Sequence, residues 1–343
     1  MSFIDLRSDT VTRPTDEMKK ASYDAELGDD VYGEDPTVNK LEEKAAEILG
    51  KEAALFVTSG TQGNQIAVLT HCQPGNEILL EEEAHLFYYE GAAISAFAGV
   101  QPRTLRGNRG AMDPKMVESA IRGDDIHLPE TGLICLENTH NRAGGAIVPL
   151  ENMIDIFEVA SKHSIPLHLD GARLFNAAVA LNQPVTEFTK FTTTVQVCLS
   201  KGLGAPVGSI LAGSKEFIHR ARKWRKRLGG GLRQVGVIAA PGYIALTKMV
   251  DRLGEDHQNA KRLEIGLRNI PVFSIVNTVD TNIVLVDVQT LGITSAQFIE
   301  DIKKHGILAV PFGPTMVRFT THYDVTTQQV DNAISTLASL YKR

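Results

Sequence analysis

Two polar residues and one small-residue turn stand out as groups that could do chemistry. Asp170 follows an apolar run and opens the sequence DGAR, and Lys201 follows a second apolar run. The turn Ser59-Gly60-Thr61 precedes a helix-compatible stretch. Ligands of open parallel sheets collect at the carboxyl ends of the strands, and helix N-termini bind phosphate through free backbone N–H groups. Each feature alone also has an ordinary explanation, because Asp170 and Ser59 could cap helices and Lys201 could be an exposed loop lysine.

Taken together, an amine, an acid and an anion site match the needs of pyridoxal phosphate. That cofactor needs a lysine to hold its aldehyde, an acid to keep its ring nitrogen protonated, and a site for its phosphate. A dinucleotide is the competing cofactor, but its fingerprint, G-x-G-x-x-G directly after a strand, is absent. The segment GLGAPVG at 202–208 has one residue too many and lies far from the first predicted strand. The sequence therefore favours pyridoxal phosphate and disfavours a nicotinamide oxidoreductase.

The composition is that of an ordinary globular protein and argues against several other classes. The 343 residues carry a net charge of −6, which gives no electrostatic support to nucleic-acid binding. No apolar run approaches the ~18 residues of a membrane span, and the N-terminal residues lack the basic and apolar regions of a signal peptide. The 3 cysteines are widely spaced, which argues against a disulfide framework or a zinc cluster. We therefore expect a cytoplasmic protein with no nucleic-acid or membrane partner and no bound metal.

Strand-like and helix-like segments alternate through most of the chain. The predicted strands are 53–57, 77–80, 133–136, 166–169, 195–199 and 207–212, and helices are predicted at 37–49, 64–71 and 150–163. This alternation predicts an α/β fold with a mostly parallel sheet covered by helices.

The pattern changes at about Lys248. A long charged helical stretch covers 248–268, strands are predicted at 272–276, 281–288, 307–310 and 316–320, and helices at 295–305 and 328–341. We therefore predict a large domain over 1–247 and a smaller α+β C-terminal domain over 248–343. The strongly basic cluster RARKWRKR at 220–227 is interpreted as a solvated helix face, because the rest of the chain is acidic.

Seven sequence blocks, in order, resemble those of the L-threonine aldolases, which are aspartate-aminotransferase-like (fold type I) pyridoxal-phosphate enzymes. The resemblance spans nearly the whole chain. The blocks are DLRSDTVTRPT (5–15), GDDVYGEDPTVNKLE (28–42), TSGTQGNQ (58–65), ENTHNRAGG (137–145), HLDGAR (168–173), LSKGLGAPVGS (199–209) and LGGGLRQ (228–234). Any one block is a modest signal, whereas the ordered set is specific.

This resemblance implies roles for residues around the cofactor. It implies that Lys201 binds the cofactor aldehyde covalently and that Asp170 pairs with the ring nitrogen. His85, in EEEAHLFYYE, would stack on the ring face, although without the resemblance it could be an ordinary surface histidine. The residues expected at the phosphate or elsewhere on the cofactor are Gly60, Thr61, Arg173 and Arg233.

The resemblance also implies how an amino-acid substrate is held. A carboxylate favours planar, bidentate partners, which arginine supplies. Arg173 lies three residues after Asp170, so both can face one pocket. Arg318, in MVRFTTH, is similar to the family's other carboxylate-binding arginine, although it could be a surface charge on an edge strand. Ser8 would be a third contact, and Tyr32 is either a packed loop aromatic or a residue near the active site of a neighbouring subunit.

The implied activity is retro-aldol cleavage of L-threonine, L-allo-threonine and other β-hydroxy-α-amino acids to glycine and an aldehyde such as acetaldehyde. Such an enzyme is a carbon–carbon lyase. The base that removes the β-hydroxyl proton needs a pKa near neutrality, which favours histidine. His85 and His127 are the candidates, and direct abstraction, a held water and a plain loop role for His127 all stay open.

The resemblance further implies a homotetramer with active sites at subunit interfaces. An aminotransferase or a β-eliminating lyase of the same fold is the alternative activity. A catalytically silent ligand-binding protein is a further alternative, but the presence of both Lys201 and Asp170 argues against it.

Overall fold

The computed structural model describes residues 3–341, so the terminal residues 1, 2, 342 and 343 of the two predicted domains lie outside the described part of the chain. Its strands are β1 (Ile4–Asp5), β2 (Ala53–Val57), β3 (Glu77–Glu81), β4 (Gln101–Leu105), β5 (Gly107–Asn108), β6 (Ala111–Met112), β7 (Thr131–Glu137), β8 (Leu167–Asp170), β9 (Thr194–Cys198), β10 (Ser209–Gly213), β11 (Ser274–Ile275), β12 (Ile283–Asp287), β13 (Ile307–Leu308), β14 (Val310–Pro311) and β15 (Met316–Thr320).

The helices surround these strands. They are α1 (Asp16–Tyr23), α2 (Pro36–Leu49), α3 (Gly60–His71), α4 (His85–Tyr88), α5 (Ala93–Ala98), α6 (Pro114–Ala120), α7 (Leu150–Lys162), α8 (Leu174–Leu181), α9 (Thr186–Thr189), α10 (Lys215–Arg227), α11 (Gly236–Lys248), α12 (Leu253–Arg268), α13 (Ser295–Lys304) and α14 (Thr327–Tyr341). Short 3₁₀ helices cover Asp9–Val11, Asp30–Tyr32 and Gln289–Leu291.

A seven-stranded sheet forms the centre of the molecule, in the order β2-β10-β9-β8-β7-β3-β4. Every neighbouring pair from β9 to β4 is parallel, whereas β10 is antiparallel to both β9 and β2. The central strands are apolar and buried on both faces, which is typical of a parallel sheet covered by helices. The prediction of a mostly parallel α/β sheet is therefore confirmed.

Helix α2 shows how local sequence signals set an element that packs on this sheet. Asp35 caps the helix, because its Oδ1 accepts hydrogen bonds from the backbone N–H groups of Thr37 at 3.1 Å and Val38 at 3.0 Å. Pro36 occupies the first helical position, where a missing N–H costs nothing. Gly50 ends the helix with a φ of 59°, a left-handed conformation that glycine adopts without strain. The apolar face of α2 packs against β2 and α11.

The C-terminal part of the chain builds a second, antiparallel sheet in the order β11-β12-β15-β14. Helices α12, α13 and α14 enclose a separate apolar core with this sheet. The N-terminal strand β1 reaches across to this region, because it pairs in parallel with β13 through Ile4 and Ile307, and Leu6 is buried in the same core. This pairing carries the residues that follow β1 into the space between the two sheets.

The basic stretch on α10 is only in part the solvated face that its sequence predicted. Arg220, Lys223, Lys226 and Arg227 are exposed, whereas two arginines pair with acids. Arg225 is buried and donates to Asp30 Oδ2 at 2.5 Å and to the carbonyl of Phe56 at 2.8 Å. Arg222, one turn earlier, pairs with the carboxylate of Glu42. The prediction was wrong for these two arginines because their acidic partners come from segments distant in sequence.

Within residues 3–341 no helix is both long and apolar enough to cross a membrane. Cys72, Cys135 and Cys198 are buried, and all three carry free thiols. The sequence argued against a disulfide framework, and the structure shows no disulfide between these three residues.

Candidate active site

A cavity of about 380 Å³ lies between the large sheet and the C-terminal sheet. Residues from distant parts of the chain line it, and five of them are site residues predicted from the sequence: Ser8, His85, Arg173, Lys201 and Arg318. Val310 and Phe312 form an apolar wall on the side of the C-terminal sheet. The folding of both sheets therefore brings cationic, titratable and apolar groups to one place.

Asp170 and Lys201 come from adjacent strands of the large sheet. Asp170 is the last residue of β8 and is paired with Gln196 of β9. Lys201 lies three residues after the end of β9. Asp170 is only 2% exposed, and its Oδ2 accepts a hydrogen bond from Nδ2 of Asn64 at 2.8 Å. The carboxyl ends of neighbouring parallel strands thus bring a buried acid and an amine to the same edge of the sheet.

His85 begins α4 and faces the cavity. Its Nδ1 lies 3.0 Å from Oε1 of Glu90, and its backbone N–H donates to Oε2 of Glu137 at 2.7 Å. One ring nitrogen of His85 and one carboxylate oxygen each of Glu90 and Asp170 all lie within 4.8 Å of one another. Burial alone would lower the pKa of His85, but the Glu90 hydrogen bond and the charges of Asp170, Glu90 and Glu137 outweigh it and raise that pKa above its ordinary value.

Arg173 is buried, and a carboxylate of the same chain occupies its bidentate face. Its Nε donates to Asp9 Oδ2 at 2.7 Å, and its Nη2 donates to Asp9 Oδ1 at 2.7 Å. Nη1 remains, 3.5 Å from Oδ1 of Asn141. Burial opposes ionisation of Asp9, but the charge and hydrogen bonds of Arg173 prevail and hold the pKa of Asp9 well below its usual value. The sequence had suggested a bidentate face for the substrate, and the structure leaves Arg173 a single free edge.

Arg318 lies on β15, between β12 and β14, so it is not on an edge strand. Its Nη1 donates to Oδ1 of Asn141 at 3.1 Å, and within residues 3–341 its buried Nε finds no acceptor. Burial, together with the nearby charge of Arg173, lowers the pKa of Arg318 to about 10. A negatively charged ligand in the cavity would offset both effects and would supply the missing acceptor.

The N-terminus of α3 lies beside the end of β9. A side chain at Gly60 would put its Cβ 2.9 Å from Sγ of Cys198, so glycine permits this close approach. The hydroxyl of Ser59 accepts from the backbone N–H of Gln62 at 3.1 Å. In the described part of the chain the N–H groups of Gly60 and Thr61 have no acceptor, which leaves them available to an anion.

Six residues assigned through the family resemblance are not part of the cavity lining, and they are Asp170, Gly60, Thr61, His127, Tyr32 and Arg233. The first three have been described above, and the other three lie on the surface of this chain. His127 lies on an exposed turn, with its Nδ1 2.8 Å from Oδ1 of Asp125. Tyr32 is 75% exposed. Arg233 is exposed and donates to Oδ2 of Asp29 at 3.0 Å. The folded chain by itself therefore assembles part of the predicted set and leaves these residues on its surface.

Four residues around the site were missed from the sequence. Asp9, Asn64, Glu90 and Asn141 each contact a predicted site residue. Asp9, Asn64 and Asn141 lie inside the seven blocks quoted for the resemblance, and Glu90 ends the segment EEEAHLFYYE that was quoted for His85. Their proximity to such motifs was a usable signal, but their partners come from other elements and no local spacing indicates those contacts.

Comparisons with known proteins show the class to which this chain and its fold belong. Residues 5–291 match the sequence model of the beta-eliminating lyase family. The solved structure of Leishmania major threonine aldolase superposes with a TM-score of 0.84 at 18% identity, over 98% of this chain and 99% of that one. The aspartate-aminotransferase-like (fold type I) prediction is therefore confirmed.

Sequence relatives make the assignment narrower. Low-specificity L-threonine aldolase 1 of Arabidopsis thaliana is 44% identical over 98% of this chain and 95% of the plant protein. The low specificity L-threonine aldolase of Escherichia coli O157:H7 is 43% identical over 95% of this chain and 96% of its own length. The chain therefore belongs to the beta-eliminating lyase family and, within it, to the group of low-specificity L-threonine aldolases.

Proposed function

We propose that this protein is a pyridoxal-phosphate-dependent aldehyde-lyase that cleaves L-threonine and L-allo-threonine to glycine and acetaldehyde. The observation that carries the proposal is the convergence of Lys201, His85 and two arginines on one cavity, with buried Asp170 beside it. The names of the relatives support the same activity. Other β-hydroxy-α-amino acids carry the same reacting groups, and the apolar wall at Val310 and Phe312 suits an apolar β-substituent.

The residues present fit pyridoxal phosphate. Lys201 would hold the cofactor aldehyde, Asp170 would keep the ring nitrogen protonated, and His85 would lie against the ring. The free N–H groups at Gly60 and Thr61 would bind the phosphate. When bound, the cofactor supplies an electron-accepting ring that stabilises a carbanion at the substrate Cα.

Substrate binding would use the cationic side of the cavity. The unpaired Nε of Arg318 and the remaining Nη1 of Arg173 are donors suited to the substrate carboxylate. Ser8, which is buried and lines the cavity, supplies a hydroxyl close to these groups. Clamping the carboxylate at one end limits which bond at Cα faces the cofactor, and this orientation favours Cα–Cβ cleavage over loss of the α-proton.

His85 is the group of this chain best placed to take the proton of the β-hydroxyl. Its ring lines the cavity, and its raised pKa makes it a stronger base than an unperturbed histidine. His127 would act only if another subunit brought it to the site, because it is exposed in its own chain. A water held by His85 would serve the same purpose.

We also infer a homotetramer in which subunit contacts complete the site. Tyr32, Arg233 and His127 are exposed in the single chain, and their family roles place them at a site, so a neighbouring subunit is the natural recipient. We further infer two domains that divide at about 247/248, supported by two separate apolar cores, with Met249 and Leu253 still packing in the core of the large domain and Leu6 in that of the small one. We also infer a cytoplasmic location, supported by three free thiols.

The test is an aldehyde-release assay with L-threonine and L-allo-threonine side by side, without any 2-oxo acid. The proposal expects acetaldehyde and glycine in equal amounts from at least one of the two. A reaction that requires a 2-oxo acid would identify an aminotransferase instead. Release of ammonia and a 2-oxo acid would identify a β-eliminating lyase.

A further inference from the structure

We propose that Glu90 is a positioning residue that fixes the tautomer of His85, with the proton on Nδ1 and the free electron pair on Nε2 facing the cavity. The placement of these side chains is independent of the reaction. The importance of the tautomer rests on the proposed function, because only a proton-accepting role makes the position of the lone pair matter.

Glu90 is a buried carboxylate surrounded by donors. Its Oε1 accepts from Nδ2 of Asn64 at 2.9 Å, and its Oε2 accepts from Nε2 of Gln65 at 2.6 Å. Its side chain is 0% exposed. Both oxygens of Glu90 already face amide N–H groups, so the carboxylate meets His85 as an acceptor. The nitrogen of His85 that faces it, Nδ1 at 3.0 Å, must then carry the proton.

A buried chain of hydrogen bonds, which we call the relay, fixes the orientation of the Asn64 amide. It runs from Glu90 through Asn64, His168 and Thr194 to His71. Nδ2 of Asn64 lies 2.9 Å from Glu90 Oε1 and 2.8 Å from Asp170 Oδ2, so the flipped amide would set its oxygen against two carboxylates. With Nδ2 placed there, Oδ1 of Asn64 faces Nε2 of His168 at 3.1 Å. That contact requires an N–H on Nε2 of His168.

The rest of the relay agrees with this assignment. Burial lowers the pKa of His168 to about 4, so the ring is neutral near pH 7 and its Nδ1 is an acceptor. The hydroxyl of Thr194, 3.0 Å away, therefore donates to that Nδ1. Thr194 then accepts from Nε2 of His71 at 3.1 Å. Every donor meets an acceptor from His71 to Glu90, and reversing one member would set like groups against each other.

The Nε2 atom of His85 is the ring nitrogen that remains able to accept a proton. Within residues 3–341 it has no hydrogen-bond partner, whereas the ring is part-buried and lines the cavity. The charged and titratable groups that face this ring are Glu90 from its own segment, Asp170 from β8, Glu137 from β7, Tyr89 with ring centroids 5.5 Å apart, and Lys201 and Arg173 across the cavity. Burial alone would lower the pKa of His85, but the acids at close range outweigh it, so the pKa is raised.

The experiment is ¹⁵N NMR of the full chain carrying labelled histidine, measured with and without added pyridoxal phosphate. In the wild-type protein above the titration midpoint of His85, Nδ1 should show the shift of a protonated nitrogen and Nε2 that of an unprotonated one. The reverse pattern overturns the proposal without any variant. This readout is independent of turnover, so it separates the proposal from the aldehyde-release assay of the proposed function.

The variant test is Glu90→Gln, with Glu90→Asp as the conservative rescue and Glu82→Gln as the matched control. Gln65 can adapt to the new amide, because its Oε1 has no partner within residues 3–341. Glu82 lies three residues before His85 but is exposed and pairs loosely with Arg106 at 3.6 Å. All three variants replace one acid in the same segment.

In Glu90→Gln the titration midpoint of His85 should fall, and kcat should fall by about 10- to 100-fold, the usual loss when a partner that orients a functional histidine is removed. The loss is smaller than the full ~10²–10⁴-fold of general-base catalysis because His85 itself remains. The acidic limb of the pH profile of kcat should move to lower pH, because a histidine with a lower pKa is already deprotonated at a lower pH. Glu90→Asp should recover part of both effects, and Glu82→Gln should leave the midpoint in place. An unchanged midpoint in Glu90→Gln, or an equal shift in Glu82→Gln, overturns the proposal.

Discussion

Arg173 and Asp9 form a buried bidentate ion pair at the edge of the cavity, with both nitrogen–oxygen distances at 2.7 Å. The acid comes from the segment after β1, and the arginine comes from the turn after β8. Asn282 adds a hydrogen bond to Asp9 Oδ2 at 3.3 Å. The pair ties the N-terminal segment to the large sheet and sets the direction in which the free edge of Arg173 points.

Replacing Asp9 by Asn should destabilise the fold, because it leaves a buried guanidinium without its counter-charge. We expect the free energy of unfolding near pH 7 to fall by about 3 kcal/mol. Since the pKa of folded Asp9 is depressed below its unfolded value of 3.8, the stabilisation is complete above that value and is lost as the pH falls below it. The gap between wild type and variant, measured by urea unfolding, should therefore close only at acidic pH.

Asp5→Asn is the matched control for this prediction. Asp5 pairs with Arg7 in the same segment at 2.6 Å, but the side chain of Arg7 is 46% exposed and that of Asp5 25% exposed. Such pairs contribute ~0–1 kcal/mol, so the control should stay close to wild type. Equal losses in the two variants would contradict the role assigned to the buried pair.

Arg318→Ala should raise the KM for threonine by about 10- to 100-fold, the loss expected from a charge-assisted hydrogen bond. The affinity for pyridoxal phosphate should change little, because Arg318 is assigned to the substrate carboxylate. Arg262→Ala is the control, since Arg262 belongs to the same C-terminal region but pairs with Asp331 at the surface. If the KM of Arg318→Ala equals that of Arg262→Ala in steady-state kinetics, Arg318 does not bind the substrate.

Much of the large sheet was readable from the sequence because its strands are buried on both faces. The predicted strand 53–57 coincides with β2, and five others lie within two residues of the observed ends. The edge strand β4 was missed, since Pro102 and Arg103 remove the apolar run that marks a buried strand. The reversed direction of β10 was also out of reach, because periodicity carries no information on strand direction.

The C-terminal elements were predicted less accurately, for local reasons. The charged helix expected at 248–268 begins at Leu253, because α11 continues to Lys248 and the chain turns before α12. The expected strand at 307–310 is split, with β13 pairing with β1 and β14 pairing with β15. Both differences arise from partners that are distant in sequence.

The site residues could also be predicted only in part, because some of their contacts come from segments distant in sequence. Lys201, Asp170 and Gly60 were found from residue type and position at strand or helix ends, and Arg318 required the family resemblance. The engagement of Arg173 by Asp9 depends on β1 crossing to β13, which no local pattern specifies. His127, Tyr32 and Arg233 were named through the resemblance and are exposed in the folded chain, so their test requires the assembled protein.

Subunit mixing tests whether Tyr32 acts in a neighbouring site. Lys201→Ala subunits and Tyr32→Ala subunits should each have low activity alone. After mixing and reassembly, a shared site with Lys201 from one chain and Tyr32 from the other would be intact, so activity should rise well above the sum of the separate proteins. Tyr23→Ala, another highly exposed tyrosine, is the control in place of Tyr32→Ala. No gain on mixing would confine Tyr32 to its own chain.

The central claim is that Lys201 is the covalent anchor of the cofactor, and borohydride trapping tests it most directly. The protein is loaded with pyridoxal phosphate, reduced, digested and mapped by mass spectrometry, with Lys201→Ala treated in parallel. We predict a single stoichiometric pyridoxyl label on the peptide containing Lys201 and no label in the variant. A label on another lysine, or none on the wild-type protein, would contradict the account.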